Sequence, residues 1–139
     1  MKQKKSYRLL GIDPGTNILG YAVIEVVGKQ MKPLDIGVIK MGNLKTHQLK
    51  LKKIFERIQT IIEVYSPKEM AIEAPFYAKN VQSMLKLGRA QGVSIAAGIT
   101  MGVEVTEYSP KKIKQSVTGN GNASKEQVAA MLKTILDFE

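Results

Sequence analysis

The sequence contains no cysteine, which excludes a disulfide framework and a cysteine-ligated zinc site. It also has no apolar run near the roughly 20 residues that a membrane-spanning helix needs. The charged start, MKQKKSYR, leads into no apolar signal region with a cleavage site, so we expect a short solvated arm before a strand. We therefore expect a cytoplasmic protein whose 139 residues form one domain, with no membrane partner.

Acidic residues are scarce compared with basic ones. The chain has 12 Asp and Glu against 21 Lys and Arg, which gives a net charge of +9. A folded domain this basic can bind polyanions by neutralising phosphates, although lysines also simply keep domains soluble. Histidine occurs once, as His47 at a predicted helix start, where a surface cap is the expected role.

Apolar periodicity predicts an α/β fold with the element order βββαβαβαα. Three strands come first, with the segment GKQMK as a turn between the second and third, and helices then alternate with strands. The predicted strands cover 7–13, 18–27, 34–41, 69–73 and 103–109, and the predicted helices cover 47–65, 79–101, 110–118 and a final stretch after Ser124. This order predicts a mixed five-stranded sheet with helices on both faces.

Two lone acids stand at the ends of predicted strands. Asp13 is followed at once by Pro14, Gly15 and Thr16, and Glu73 ends the fourth strand. Sites gather at the carboxyl ends of parallel strands, so the two acids would meet if the first and fourth strands are neighbours. A carboxylate pair suits Mg²⁺ or Mn²⁺ together with phosphate oxygens, and such ions support phosphodiester hydrolysis. The alternative is that each acid only caps a turn or a helix.

Three segments closely resemble the RuvC family of Holliday-junction resolvases. They are GIDPGTNILGYAVIE, AIEAPFYAKNVQSMLKLGRAQGV and YSPKKIKQSVTGNGNASKEQV, and the resemblance runs from Leu9 to about Leu136. The first segment alone is a weak signal, because several ribonuclease H-like nucleases and actin-like ATPases begin with D-x-G-T on a hairpin. The second is specific: an acid at a strand end, then Phe-x-Ala-Lys-Asn, then a helix with Leu-Gly-x-Ala-x-Gly.

The resemblance implies a ribonuclease H-like fold and a homodimer. It implies two Mg²⁺ ions per active site, for which Mn²⁺ can substitute, and symmetric nicking of four-way junction DNA in recombination and repair. It also implies partnership with the family's branch-migration motor complex.

The same resemblance assigns roles to individual residues. Asp13 and Glu73 match the first two catalytic metal ligands, and Gly15 and Gly20 match hairpin glycines that allow close backbone approach. The residues matched to DNA binding are Phe76, which can stack on an unpaired base, and Tyr77, Lys79, Asn80, Lys114 and Lys125. Without the resemblance, Phe76 could be a core aromatic and the lysines ordinary solvated side chains.

The sequence departs from the family pattern at its end. The family's last two acids lie on a later helix, in a pattern like Asp-Ala-x-Asp-Ala-Leu, whereas this sequence ends in ILDFE. Asp137 comes too early to replace them, and Glu139 is the final residue. We therefore expect residues 1–139 to be a single nuclease domain without its C-terminal helix, and the remaining catalytic acids to lie beyond Glu139.

Three other functions stay open at this stage. A ribonuclease H-like nuclease acting on RNA shares the opening motif, but the segment Phe-Tyr-Ala-Lys-Asn argues against it. An actin-like ATPase would need a second phosphate loop and usually more than twice this length. A junction-binding protein that is inactive in this shortened form is also consistent with the absent acids, and a cleavage assay with Mg²⁺ would distinguish it from the nuclease.

Overall fold

The computed structural model describes residues 6–28, 30–74 and 80–108, which form five strands and two helices. These are β1 (Ser6–Asp13), β2 (Ile18–Val27), β3 (Gln30–Lys40), α1 (His47–Tyr65), β4 (Glu69–Glu73), α2 (Val81–Thr100) and β5 (Glu104–Tyr108). The predicted order is confirmed as far as β5. The two helices predicted after Ser109 lie outside the described residues. Neither α1 nor α2 is long and apolar enough to cross a membrane.

The strands form one mixed sheet in the order β3-β2-β1-β4-β5. β1 pairs antiparallel with β2, and β2 pairs antiparallel with β3. β4 runs parallel to both β1 and β5. α1 is the crossover from β3 to β4, and α2 is the crossover from β4 to β5. The predicted mixed five-stranded sheet is therefore confirmed, and β1 lies at its centre beside β4.

The helix boundaries follow from local capping. α1 begins after Thr46, whose hydroxyl accepts a hydrogen bond from the Leu49 amide at 3.2 Å. It ends at Tyr65, and the capping residue Ser66 adopts the left-handed conformation with φ 48° directly before Pro67. α2 begins after Asn80, whose side-chain oxygen accepts from the Ser83 amide at 2.9 Å.

β3 is longer than predicted. It begins at Gln30 rather than at residue 34, so the prediction that the whole segment GKQMK is a turn was wrong. Gly28 adopts a φ of 60°, which lets the chain reverse within a very short connection. Pro33 lies within β3, an edge strand, where the register with β2 shifts between Val23 and Ile24. A proline at this register shift in an edge strand removes no hydrogen bond between central strands.

The side chains alternate between the two faces of the sheet. On the first face, Leu10 and Ile12 pack in one buried cluster with Ile54 and Ile58 of α1 and with Ala97 of α2. On the second face, a smaller buried cluster contains Leu9, Ala22, Ile24 and Val26. Both described helices thus pack on the first face, and the two helices predicted after Ser109 fall outside the described residues.

Candidate active site

The strand register brings Asp13 and Glu73 side by side. β1 and β4 pair in parallel through Gly11 with Ala71 and Ile12 with Ile72, so the next pair along is Asp13 with Glu73. Adjacent strands lie roughly 4.8 Å apart, and residues at matched positions project to the same face. The two acids therefore share one face and one edge of the sheet. The condition that the first and fourth strands are neighbours is confirmed.

A glycine occupies the other position next to Asp13. In the antiparallel pairing of β1 and β2, Asp13 lies directly opposite Gly20. Directly opposed residues project to the same face, so Asp13 has an acid on one side and no side chain on the other. Gly20 therefore adds no side chain of its own beside the carboxylate of Asp13.

The turn after Asp13 depends on Gly15. A Cβ atom at this position would collide with the backbone carbonyl of Ile18. The same loop is tied to the end of β3, because the Met41 amide donates to the Asn17 carbonyl at 2.8 Å. The hairpin therefore fixes the backbone that carries Asp13.

Tyr108 is a neighbour of Glu73 that sequence reasoning missed. The two residues are paired in the parallel register of β4 and β5, and Tyr108 is only 5% exposed. The Ala74 amide donates to the Tyr108 carbonyl at 2.8 Å, which ties the chain after Glu73 to β5. Only its position at the end of the predicted fifth strand could have indicated this contact.

The two carboxylates are a partial donor set for a hard divalent cation. Both residues are half-buried, and carboxylate oxygens are preferred ligands of Mg²⁺ and Mn²⁺. Within residues 6–28, 30–74 and 80–108, no group of three or more His, Cys, Asp or Glu side chains could hold a metal. The pair fits a metal site to which substrate oxygens, water or further acids contribute.

The other predicted site residues are described only in part. Asn80 is the N-cap of α2, and its side-chain oxygen is used in that cap while its amide N–H groups stay donors. The residues outside the described ranges are Phe76, Tyr77, Lys79, Lys114 and Lys125, and their assignment to DNA binding stays a prediction.

Comparison with known proteins gives one consistent family. The family model described as "Crossover junction endodeoxyribonuclease RuvC" matches residues 9–139. A curated protein of that name from Cytophaga hutchinsonii is 63% identical over 131 residues, which cover 94% of this chain and 66% of the relative. Another, from Christiangramia forsetii, is 58% identical over 135 residues, with coverage of 96% and 70%. The chain thus spans about two thirds of the length of these curated relatives.

A solved structure agrees with the fold. The structure titled "T. thermophilus RuvC in complex with Holliday junction substrate" matches with a TM-score of 0.75 and 30% identity. The match covers 96% of this chain and 81% of the other. The predicted ribonuclease H-like fold is therefore confirmed.

Proposed function

Because the chain belongs to the RuvC family of crossover junction endodeoxyribonucleases, we propose that it cuts four-way (Holliday) junction DNA by hydrolysing phosphodiester bonds, in recombination and DNA repair. The observation that carries this proposal is the register of β1 and β4, in which Asp13 and Glu73 are neighbours at one sheet edge. The net charge of +9 supports a polyanionic substrate. The similar Thermus thermophilus protein was solved with a Holliday junction.

In this proposal Asp13 and Glu73 hold divalent metal, with Mg²⁺ as the natural ion and Mn²⁺ as a substitute. Two such ions, when bound, supply activation of a water molecule and stabilisation of the leaving oxygen. Gly20, opposite Asp13 in the strand register, adds no side chain that would stand between this carboxylate and a phosphodiester. The remaining catalytic acids are expected beyond Glu139.

We further propose that the segment after Glu73 contacts the centre of the junction. Phe76 lies three positions after this acid in sequence and would stack on an opened base, a contact that gives about 1–3 kcal/mol. Tyr77, Lys79 and Asn80 would bind DNA beside Phe76, and Lys114 and Lys125 would bind phosphates.

The proposed assembly is a homodimer acting with a branch-migration motor complex in the cytoplasm. Two copies would nick two strands symmetrically. A patch of exposed apolar side chains on α2 supports a subunit contact, since Val81 is 75% and Leu85 is 56% exposed. Gly88 and Gly92 on the same helix have no neighbouring atom within 4 Å of a hypothetical Cβ, within the described structure.

Substitution of the two acids tests the proposal. In a protein as long as the curated relatives, Asp13→Asn and Glu73→Gln should each slow Mg²⁺-dependent junction cleavage about a thousandfold, because losing a ligand removes about 4 kcal/mol of transition-state stabilisation. Junction binding should stay near wild type. Glu63→Gln, at an exposed position on α1, is the matched control and should cut normally.

Three outcomes separate the alternatives. Rapid nicking by the Asp13→Asn protein would contradict its role as a metal ligand. Binding without cleavage by the unsubstituted protein would indicate a junction-binding protein, and faster cutting of structured RNA than of junction DNA would indicate an RNA nuclease. Mg²⁺ should also raise the unfolding temperature of the wild type more than that of either variant, since a ligand that binds the folded state stabilises it.

A further inference from the structure

A groove of about 570 Å³ lies where the β1–β2 hairpin, the end of β3 and the start of α1 meet. We call it the corner groove, and it is lined by Asn17, Ile18, Lys40, Gly42, Asn43 and Lys53. None of these lining residues is acidic. It contains neither Asp13 nor Glu73 and is a separate feature of the surface.

The corner groove lies at the same end of the sheet as Asp13. Ile18 pairs with Lys40 in the β2–β3 ladder, and two residues further along β2 Gly20 pairs with Asp13. Two strand residues span roughly 7 Å, and neighbouring strands are roughly 5 Å apart. The backbone of Ile18 at the groove lining is therefore on the order of 10 Å from that of Asp13, which corresponds to about three base-pair steps of duplex DNA.

Two lysine ammonium groups are held at the groove by neutral oxygens. Lys50 Nζ donates to Asn17 Oδ1 at 2.8 Å, and Lys53 Nζ donates to the Lys40 carbonyl oxygen at 2.6 Å. A neutral acceptor leaves the positive charge uncompensated, and an ammonium has three donors, so each group can also bind an external oxygen. Lys40, which also lines the groove, adds a third lysine to this corner.

Helix stability does not explain these lysines. Cations near the start of a helix are disfavoured by its dipole, yet Lys50 and Lys53 lie in the first two turns of α1, whose first turn has no acid. Lys52 provides the contrast, because it forms an ion pair with Glu56 at 3.7 Å and its side chain is 71% exposed. Lys50 and Lys53 are instead half-buried and directed to the groove wall.

We propose that the corner groove binds backbone phosphates of one duplex arm of the junction, outside the phosphodiester that reacts. Fixed ammonium groups match phosphate oxygens, and the absence of a side chain at Gly42 lets a sugar-phosphate backbone approach the loop. This inference rests on the proposed function. The groove would hold the duplex arm so that the reacting phosphodiester lies at Asp13 and Glu73.

The first test compares two double variants of equal charge. Lys50→Gln/Lys53→Gln removes the groove ammonium groups, and Lys32→Gln/Lys52→Gln removes two lysines elsewhere. Lys32 is exposed and faces Glu25 at the opposite end of the sheet. Junction affinity is measured over a range of salt concentrations. The groove variant should lower the slope of log affinity against log salt by about 1.8, or about 0.9 per lost phosphate contact, and the control by less than half of that.

A second measurement locates the contact on the DNA. Junction affinity is measured for a series of junctions, each with one uncharged methylphosphonate linkage at a different position along one arm, counted from the crossover. The wild type should lose affinity at positions about two to five steps out, and the groove variant should lose none at those positions. Lys50→Arg/Lys53→Arg, which keeps both charges, should retain the wild-type pattern and slope.

The outcomes distinguish the two proposals. If the wild type binds strongly and both double variants have the same slope of log affinity against log salt, the groove proposal is overturned and the proposed function stays intact. The same conclusion follows if the groove variant keeps the methylphosphonate pattern of the wild type. A wild type that does not prefer junction DNA over duplex would overturn the proposed function, and with it the groove proposal.

Discussion

At the scale of single residues, Asp13 is positioned by a turn that tolerates only glycine at one place. A Cβ at Gly15 would overlap a backbone carbonyl rather than a flexible side chain, so the loop would have to open. Asp13 lies two residues away and would move with it. Gly42 differs, because no atom of the described residues lies within 4 Å of a Cβ built there.

We therefore expect Gly15→Ala to lower the free energy of unfolding by about 1–3 kcal/mol, the usual cost of forcing extra atoms into a packed site. Gly42→Ala should leave it unchanged or raise it by about 0.4–1 kcal/mol through lower entropy of the unfolded chain. Urea unfolding of both variants measures the difference. Equal stabilities would contradict the close approach at the hairpin.

His47 is a residue whose surroundings oppose its protonation. Burial lowers its pKa from 6.5, and the charges of Arg89, Lys86 and Lys50 lower it further. Within the described structure, its buried Nε2 atom has no hydrogen-bond partner. The neutral ring is therefore the favoured form, consistent with a structural role rather than a catalytic one.

This lowered pKa predicts an acid-sensitive stability. The folded protein binds the His47 proton more weakly than the unfolded chain, so this contribution is present above about pH 6.5 and is lost as pH falls through the lower folded pKa. His47→Gln should lose less stability than the wild type between about pH 7 and pH 5. Urea unfolding at several pH values gives the comparison. Parallel curves for the two proteins would show that His47 is not responsible.

At the scale of elements, one carboxylate joins an edge strand to a helix. Asp35 of β3 accepts hydrogen bonds from Tyr65 of α1 at 3.0 Å and from Tyr21 of β2 at 3.3 Å. Burial, followed by the charge of Asp35, raises the pKa of Tyr21, and the hydrogen bond to Asp35 raises the pKa of Tyr65. Both phenols are therefore protonated donors at neutral pH.

We expect Asp35→Ala to destabilise the protein by about 1–3 kcal/mol, because two phenol donors lose their acceptor. Tyr65→Phe should cost less than Asp35→Ala, since it removes only one of the two bonds. Thermal and urea unfolding near neutral pH measure both changes. A loss for Tyr65→Phe as large as that for Asp35→Ala would mean that Tyr21 gains nothing from the carboxylate.

Elements with strong local signals could be predicted from the sequence, and features that need contacts between elements could not. The apolar stripe of α1 and the following Pro67 gave its bounds, and β4 was predicted at the residues observed. The early start of β3 was missed because Gly28 shortens the turn and Pro33 interrupts an otherwise clear strand pattern. The two acids were identifiable as strand-end residues. The corner groove and Tyr108 were not, since their neighbours come from separate segments.

At the scale of the whole molecule, the net charge of +9 predicts how DNA binding responds to salt. Each neutralised phosphate releases condensed counterions, so log affinity falls by about 0.9 per contact for each unit of log salt. A footprint of about six phosphates would give a slope of about −5. This attraction carries no sequence or shape information, because it depends on phosphates that every duplex has.

We therefore expect steep slopes for both a four-way junction and a linear duplex of the same total length. The preference for the junction should persist at high salt, since it depends on the shape of the crossover rather than on charge alone. Fluorescence anisotropy over a range of salt concentrations measures both slopes with one labelled strand. A flat response for the junction would show that the lysines of this chain do not serve DNA binding. A preference that disappears as salt rises would show that junction selectivity is purely electrostatic, because only charge contacts are weakened in this way.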